Sequence, residues 1–174
     1  MGMCEIAVPV KQAATFDPAA FRSILRSAAA AVTVITTREG GSAHGMTATA
    51  FSSVSAEPPT ILVVLNRSTR THPKVAAAGR FVVNILTEEQ EWLGQRFAGK
   101  LDDQFEGVDT FETEHRIPVL DGALAHLECV TVRTMDVGTH TIFVGEVVNG
   151  SASQAEPLLY HDGRFKVLAE LPVA

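Results

Sequence analysis

Gly45-Met46-Thr47-Ala48-Thr49-Ala50-Phe51-Ser52-Ser53-Val54-Ser55-Ala56-Glu57-Pro58-Pro59-Thr60-Ile61-Leu62-Val63-Val64-Leu65 is the stretch on which the reading of this chain turns. Its first third, Gly45 to Phe51, sets small hydroxyl and alanine residues side by side. A strand with so little bulk on either face cannot fill a core alone, and glycine in or beside a strand marks a close approach. The short hydroxyls Ser52, Ser53 and Ser55 follow where that strand is expected to end. Pro58-Pro59 then interrupts the ladder, and Thr60 to Leu65 reads as a buried, β-branched strand. Directly after it comes Asn66-Arg67-Ser68-Thr69-Arg70-Thr71-His72-Pro73, a polar and basic cluster that opens a helix. A flat surface beside an anion site describes a nucleotide or flavin pocket.

Outward from that stretch the pattern is mostly strand. Residues 1–15 are weakly patterned and read as a flexible N-terminal arm, with residues 16–174 as one domain. Asp17-Pro18 starts a helix expected to run to about Ala30. Val32 to Thr37 is a strand, turned at Glu39-Gly40-Gly41-Ser42, and His44 at the turn's exit is an ordinary surface histidine. Pro73 to Gly79 is a short helix, Phe81 to Leu86 a buried strand, and Glu88 to Ala98 a helix with acids in its first turn. Gly99 to Asp109 is a polar loop able to cover a ligand. Ala123 to Met135 and Thr139 to Asn149 form a long hairpin, and a second turns at Asp162-Gly163. Strands outnumber helices and no strand–helix alternation with a Gly-x-Gly-x-x-Gly turn occurs, which makes a dinucleotide-binding α/β domain a poor fit. The fold expected is a closed antiparallel barrel with peripheral helices.

Composition bounds the partners. The 174 residues carry a net charge of −6 and are 46% hydrophobic, which gives a globular core and no basic face for nucleic acid. No apolar run approaches the roughly 20 residues that cross a bilayer. The first residues lack the basic start and apolar block of a secretory signal, so a cytoplasmic protein is expected. Cys4 and Cys129, far apart and without His or Cys at ligand spacing, read as free thiols. His72, His115, His126 and His161 are scattered and give no metal geometry.

The segments Gly45 to Ser55, Pro58-Pro59, and Asn66 with Ser68 and Thr71-His72 together resemble the flavin reductase family, short-chain NAD(P)H:flavin oxidoreductases. Gly138-Thr139-His140…Gly145-Glu146-Val147 is similar to the family's Gly-Asp-His…Gly-x-Val strand, and Pro157 to Tyr160 with Gly163-Arg164-Phe165 is a third match. The resemblance implies a mainly β fold, a split antiparallel β-barrel of the Greek-key, FMN-binding type, and a homodimer with flavin pockets at or near the subunit interface. It implies hydride transfer from NADH, or NADPH, to FMN or FAD. Reduced flavin then diffuses to a separate flavin-dependent monooxygenase. Two rivals stay open: a flavin-binding carrier with little turnover, and a reductase using another acceptor or a deazaflavin.

A flavin needs a flat slot, hydrogen bonds to its polar edge and donors for its phosphate. Thr47, Thr49, Ser52 and Ser53, with Ala48 and Val54 in the same run, can supply the first two through side chains and backbone amides. As plain β-formers and turn residues they would do neither. Ser68 and Thr71, after Asn66 and ahead of a helix start, offer hydroxyls for the phosphate. Arg67, Arg70 and Lys100 add charge. The competing reading makes Thr71 or His72 a helix cap and leaves the arginines solvated. His140 stands at a strand end just past Gly138; the resemblance gives it the nicotinamide side of the flavin. Thr139 replaces the family's usual Asp, a weaker orienter of that histidine. No protein nucleophile is needed, because the cofactor carries the redox chemistry.

Overall fold

The computed structural model describes residues 16–171, so the arm expected at 1–15 lies outside the described residues. In chain order the elements are α1 (Pro18–Leu25), β1 (Ala30–Ala31), β2 (Thr33–Glu39), β3 (Ser42–Ala48), β4 (Phe51–Ala56), β5 (Pro59–Asn66), α2 (His72–Ala78), β6 (Arg80–Ile85), a 3-10 turn (Glu88–Gln90) running into α3 (Glu91–Ala98), β7 (Thr110–Glu112), β8 (Pro118–Leu120), β9 (Ala125–Val137), β10 (His140–Ala152), β11 (Leu159–His161) and β12 (Arg164–Lys166).

Seven strands form one antiparallel sheet in the order β3-β2-β6-β9-β10-β5-β4. Its two edge strands, β3 and β4, are consecutive in sequence and meet at Thr49-Ala50, where the Val64 amide donates to the Ala50 carbonyl at 3.0 Å. The sheet is thus curled nearly onto itself and split along one seam. The fold is mainly β, of the split-barrel kind. The interior holds Ile35, Val63, Leu65, Phe81, Val83 and Phe143. A second cluster, with Val32, Val34, Leu86, Leu93, Phe97 and Leu158, fills the space between β2 and α3. Strand β2 is buried on both faces because alternate side chains enter different clusters.

Two glycines are fixed by packing. A Cβ on Gly145 would stand 2.7 Å from Phe81 Cζ and 2.9 Å from Cys129 Cβ, so the Gly-x-Val pattern there serves the core. One on Gly45 would stand 2.6 Å from Phe97 Cε1, so the flat object lying against Gly45 is the chain's own phenylalanine.

Two local expectations need correction. α1 ends at Leu25 rather than near Ala30, and it has no buried residue: Phe21, Ile24 and Leu25 are 53%, 58% and 54% exposed. Ser52 does not end a strand; the chain breaks earlier, at Thr49-Ala50, and β4 begins at Phe51. Pro58-Pro59 therefore lies at the β4–β5 connection, where Pro59, first in its strand, pairs with Ala56. Gly79 is the left-handed C-cap of α2, as its position implies. The long hairpin and the Asp162-Gly163 turn are also present, at φ 48° and 76° for the latter pair.

Candidate functional site

A two-lobed groove runs over the outer side of β3, between the 66–71 loop and the C-terminal end of α3. Its first lobe, about 610 Å³, is floored by Gly45, Met46 and Thr47 and walled by Ser68, Arg70, Lys100 and Gln104. The second, about 470 Å³, is lined by Val32, Ala48, Thr49, Gly94, Tyr160 and Phe165. Thr47, Ala98 and Gly99 belong to both, so the lobes are continuous. Arg70 and Lys100 stand at one end, and the rings of Tyr160 and Phe165 at the other.

Each wall is held by a specific contact. Thr47 Oγ1 donates to the Gly94 carbonyl at 2.7 Å, tying β3 to α3. Gly94 is buried, and a Cβ there would come within 3.2 Å of Phe165, whose ring meets Tyr160 edge-on at 5.4 Å. The 66–71 loop is an Asx turn: Asn66 Oδ1 accepts from both the amide and the hydroxyl of Ser68, each at 2.9 Å. Thr71, 4% exposed, gives its hydroxyl hydrogen to the Gly45 carbonyl at 2.8 Å, and so staples this loop to the edge of β3. Thr71 makes no side-chain cap on α2. Its hydroxyl is already committed, which makes it a positioning residue for the groove. The Ser68 hydroxyl is exposed and can turn from Asn66 toward an incoming acceptor.

The cations divide. Lys100 lines the first lobe and makes no ion pair among the described residues. Arg70 also lines it, and reaches over to Asp102 Oδ1 at 3.1 Å and to the Leu101 carbonyl, clasping the 99–109 loop. Arg67 points elsewhere, to Asp136 at 3.4 Å and the Gly138 carbonyl at 2.5 Å, and lines neither lobe.

His140 opens β10, paired across the ladders with Asn66 and Val137, and its Nδ1 lies 2.9 Å from Thr139 Oγ1. The threonine in place of the usual Asp therefore contacts the ring. His140 lines neither lobe but stands beside the Asn66 turn that walls the first. Behind it runs a chain of hydrogen bonds. Thr141 Oγ1 donates to Asp136 Oδ1 at 2.5 Å, so it must accept from His72 Nε2 at 2.8 Å. Burial, opposed by Asp136 and aided by Arg67, holds the His72 pKa below the ordinary imidazole value.

Of the residues singled out from sequence, the fold brings together Thr47, Ala48, Thr49, Ser68, Thr71 and Lys100, with Asn66 supporting the wall. Ser52, Ser53 and Val54 sit on β4, exposed, and line neither lobe. The sequence reading did not find the groove roles of Met46, Phe97 and Gln104. Phe97 lies four residues after Leu93, which signals only a core-facing helix stripe. Tyr160 and Phe165 stood in a matched segment, but nothing local ties them to β3. Among the described residues no group of side chains has metal-ligand geometry and no helix is long and apolar enough to cross a membrane.

The family described as flavin reductase like domain matches residues 25–169, most of the chain and all of the groove. The chain belongs to the flavin reductase family. It is 40% identical over 149 residues to the reductase component of a 4-nitrophenol 4-monooxygenase/4-nitrocatechol 2-monooxygenase of Rhodococcus opacus, covering 86% of this chain and 80% of that protein. An NADH-dependent flavin reductase of a Rhodococcus species is 35% identical over 154 residues, covering 87% of this chain and 86% of its own. Among solved structures, an NADH:FAD oxidoreductase of Streptomyces globisporus, in complex with NAD and FAD fragments, superposes with a TM-score of 0.84 at 35% identity, over 90% of this chain and 98% of that one.

Proposed function

We propose that this flavin reductase takes a hydride from NADH onto FMN or FAD held in the two-lobed groove and releases reduced flavin to a separate monooxygenase. The observation that carries the reading is the continuous groove along β3, with the Arg70 and Lys100 cations at one end and the Tyr160 and Phe165 rings at the other. Its residues fit a flavin. Thr47, Ala48 and Thr49 give a floor without bulk, and Tyr160 and Phe165 close the end away from the cations. Ser68 and Lys100 meet the phosphate, with Arg70 beside them and Thr71 fixing the loop. A bound flavin supplies the hydride-accepting chemistry; the chain binds, orients and shields. His140, steadied by Thr139, positions the nicotinamide at the rim. Family relatives named as monooxygenase reductase components and as an NADH-dependent flavin reductase support the same reading.

The active form in this reading is a homodimer in the cytoplasm. Val132, Met135 and Val137 on the β9–β10 hairpin are 56%, 55% and 53% exposed, as is the apolar face of α1. In this reading β4, with Ser52, Ser53 and Val54, serves the partner copy's groove. Cys129 is a buried free thiol, its pKa pushed up to about 12 by burial first and then by Glu128.

The test is turnover with and without added flavin, joined to a binding comparison. NADH oxidation is expected to depend on added FMN or FAD. The Ser68→Ala/Lys100→Ala variant is expected to lose FMN affinity by about tenfold or more, from lost charge-assisted hydrogen bonds, and riboflavin affinity by far less. Equal losses would move the phosphate out of the first lobe. Flavin retained stoichiometrically without turnover would favour the carrier reading.

A further inference from the structure

The His140 ring makes one hydrogen bond among the described residues, to Thr139 Oγ1, and its place is set by its neighbours in the chain. Those neighbours are all tied down. The Arg67 amide donates to the Thr139 carbonyl at 3.0 Å, and the Arg67 guanidinium donates to the Gly138 carbonyl. On the other side Thr141, 4% exposed, gives its hydroxyl hydrogen to Asp136 Oδ1 at 2.5 Å. The second oxygen, Asp136 Oδ2, faces the same Arg67 at 3.4 Å. We propose that Asp136 is the positioning residue for His140: its two carboxylate oxygens, one on Thr141 and one on Arg67, fix the β9–β10 turn that presents the ring to the nicotinamide. This rests on the reading above, in which His140 faces the nicotinamide.

Register shows how a carboxylate acts on a ring it does not touch. In the β9–β10 ladder Asp136 stands opposite Thr141 and Val137 opposite His140. Successive side chains alternate between faces, so Asp136 and Thr141 share one face and His140 takes the other. The influence of Asp136 therefore passes through the backbone. Val137 and Gly138 bring no polar side chain to the turn, and exposed loop tips are where order is most easily lost.

Two branches leave the carboxylate. A hydroxyl hydrogen given to an ionised acceptor makes a charge-assisted bond, stronger than a neutral one. Thr141 then accepts from His72 Nε2 at 2.8 Å, and the His72 ring stands edge-on, at 5.4 Å, to Phe143, a fully buried core residue. The first branch thus anchors the turn to the barrel interior. The second, through Arg67, reaches the residue after Asn66, whose side chain organises the Ser68 turn. One carboxylate joins the turn bearing His140 to the loop that walls the flavin groove. It thereby sets where hydride donor and acceptor lie relative to each other, and a misplacement of about 1 Å there costs about a hundredfold in rate. The Asp136 side chain is 63% exposed and that of Arg67 48%, so their pairing adds little to stability, which separates a positioning role from a structural one.

The experiment follows NADH oxidation at saturating flavin in Asp136→Ala, Asp136→Asn, Thr141→Val, His140→Ala and the Asp136→Ala/His140→Ala double variant, with flavin affinity read by fluorescence quenching. Asp136→Ala is expected to lower kcat/KM for NADH by about tenfold and to leave flavin affinity within about twofold. Asp136→Asn keeps an acceptor for Thr141 and should recover most of that loss. Thr141→Val has no hydroxyl to give and should reproduce it; if that variant does not fold, the exposed Asp136 substitutions decide the matter alone. In the double variant, Asp136→Ala should add less than about twofold to the loss already caused by His140→Ala, because both act on one contact. Losses that multiply, Asp136→Asn no better than Asp136→Ala, or a matching fall in flavin affinity overturn the positioning role. Unchanged NADH kinetics in His140→Ala overturn the His140 reading and the role of Asp136 with it. A loss in His140→Ala beside wild-type kinetics in Asp136→Ala overturns the role of Asp136 alone.

Discussion

Strands β3 and β4 are the two edges of one sheet, adjacent in the chain and built from the same kind of residue. Thr47-Ala48-Thr49 and Ser52-Ser53-Val54 look interchangeable as text. In the fold the first becomes the floor of a groove, while the second lies exposed along the opposite lip of the seam. The difference comes from what crosses each edge. β3 is roofed by α3 and by the 66–71 loop, through Thr47 to the Gly94 carbonyl and Thr71 to the Gly45 carbonyl. β4 pairs only with β5, and Ser52 to Ala56 lie exposed. Small hydroxyl residues make a binding floor only where another element supplies the walls.

The contrast breaks most severely at Gly45. Gly45→Val places a branched side chain into the Phe97 ring, which a Cβ alone would meet at 2.6 Å, and parts α3 from β3. Overpacking of this kind costs about 1–3 kcal/mol. The urea midpoint should fall accordingly, with flavin affinity falling alongside it, whereas a comparable Ser53→Val change on β4 should leave the midpoint nearly unmoved.

A milder cut separates the two edges by hydroxyl alone. Thr47→Val removes the hydroxyl bond to the Gly94 carbonyl that ties β3 to α3 and should cost about 1 kcal/mol. Ser52→Ala/Ser53→Ala should stay within about 0.5 kcal/mol, as exposed substitutions do. Flavin affinity sharpens the comparison. If the serine pair weakens flavin binding in a dimer and not after subunit dissociation, followed by sedimentation, β4 serves the neighbouring copy's groove. No effect in either state confines β4 to a structural role.

The smallest effect is with pH, and it falls on the β3 side. His72 is held neutral behind the 66–71 loop, with its folded pKa below the unfolded value of about 6.5. Its contribution is therefore full above that unfolded value. As pH drops, the unfolded chain takes up the proton first, and the contribution is lost as pH falls toward the lower folded pKa. Tm should decline over that acid window, and His72→Gln should make the decline shallower. His44 and His126 are lowered in the same direction by burial, so some slope should survive the substitution.

Most of the architecture could be read locally. Gly79 ends α2, Asp162-Gly163 turns the last hairpin, and β5, β6, β9 and β10 announce themselves by β-branched runs, because turn chemistry and side-chain period are properties of neighbours in sequence. The small-residue floor at 47–49 and the Asn66–Ser68 turn were legible for the same reason. α1 was overextended because its apolar spacing persists beyond Leu25, although nothing in the described chain covers that face.

The tertiary structure alone decided which small residues became a site. Thr71 offered the same hydroxyl to a helix cap, a phosphate or a distant carbonyl, and only the approach of Gly45, 26 residues away, settled it. Arg67 and Arg70 are alike in sequence, yet one is drawn to the β9–β10 turn and the other to the 99–109 loop. Tyr160 and Phe165 reach β3 because the last hairpin hydrogen-bonds to β1, a pairing spanning more than a hundred residues that no local pattern encodes. Sequence specified which groups were available and what each segment's backbone would do. Long-range contact chose their partners, since a hydroxyl or a guanidinium is committed only when another chain segment arrives within hydrogen-bonding distance.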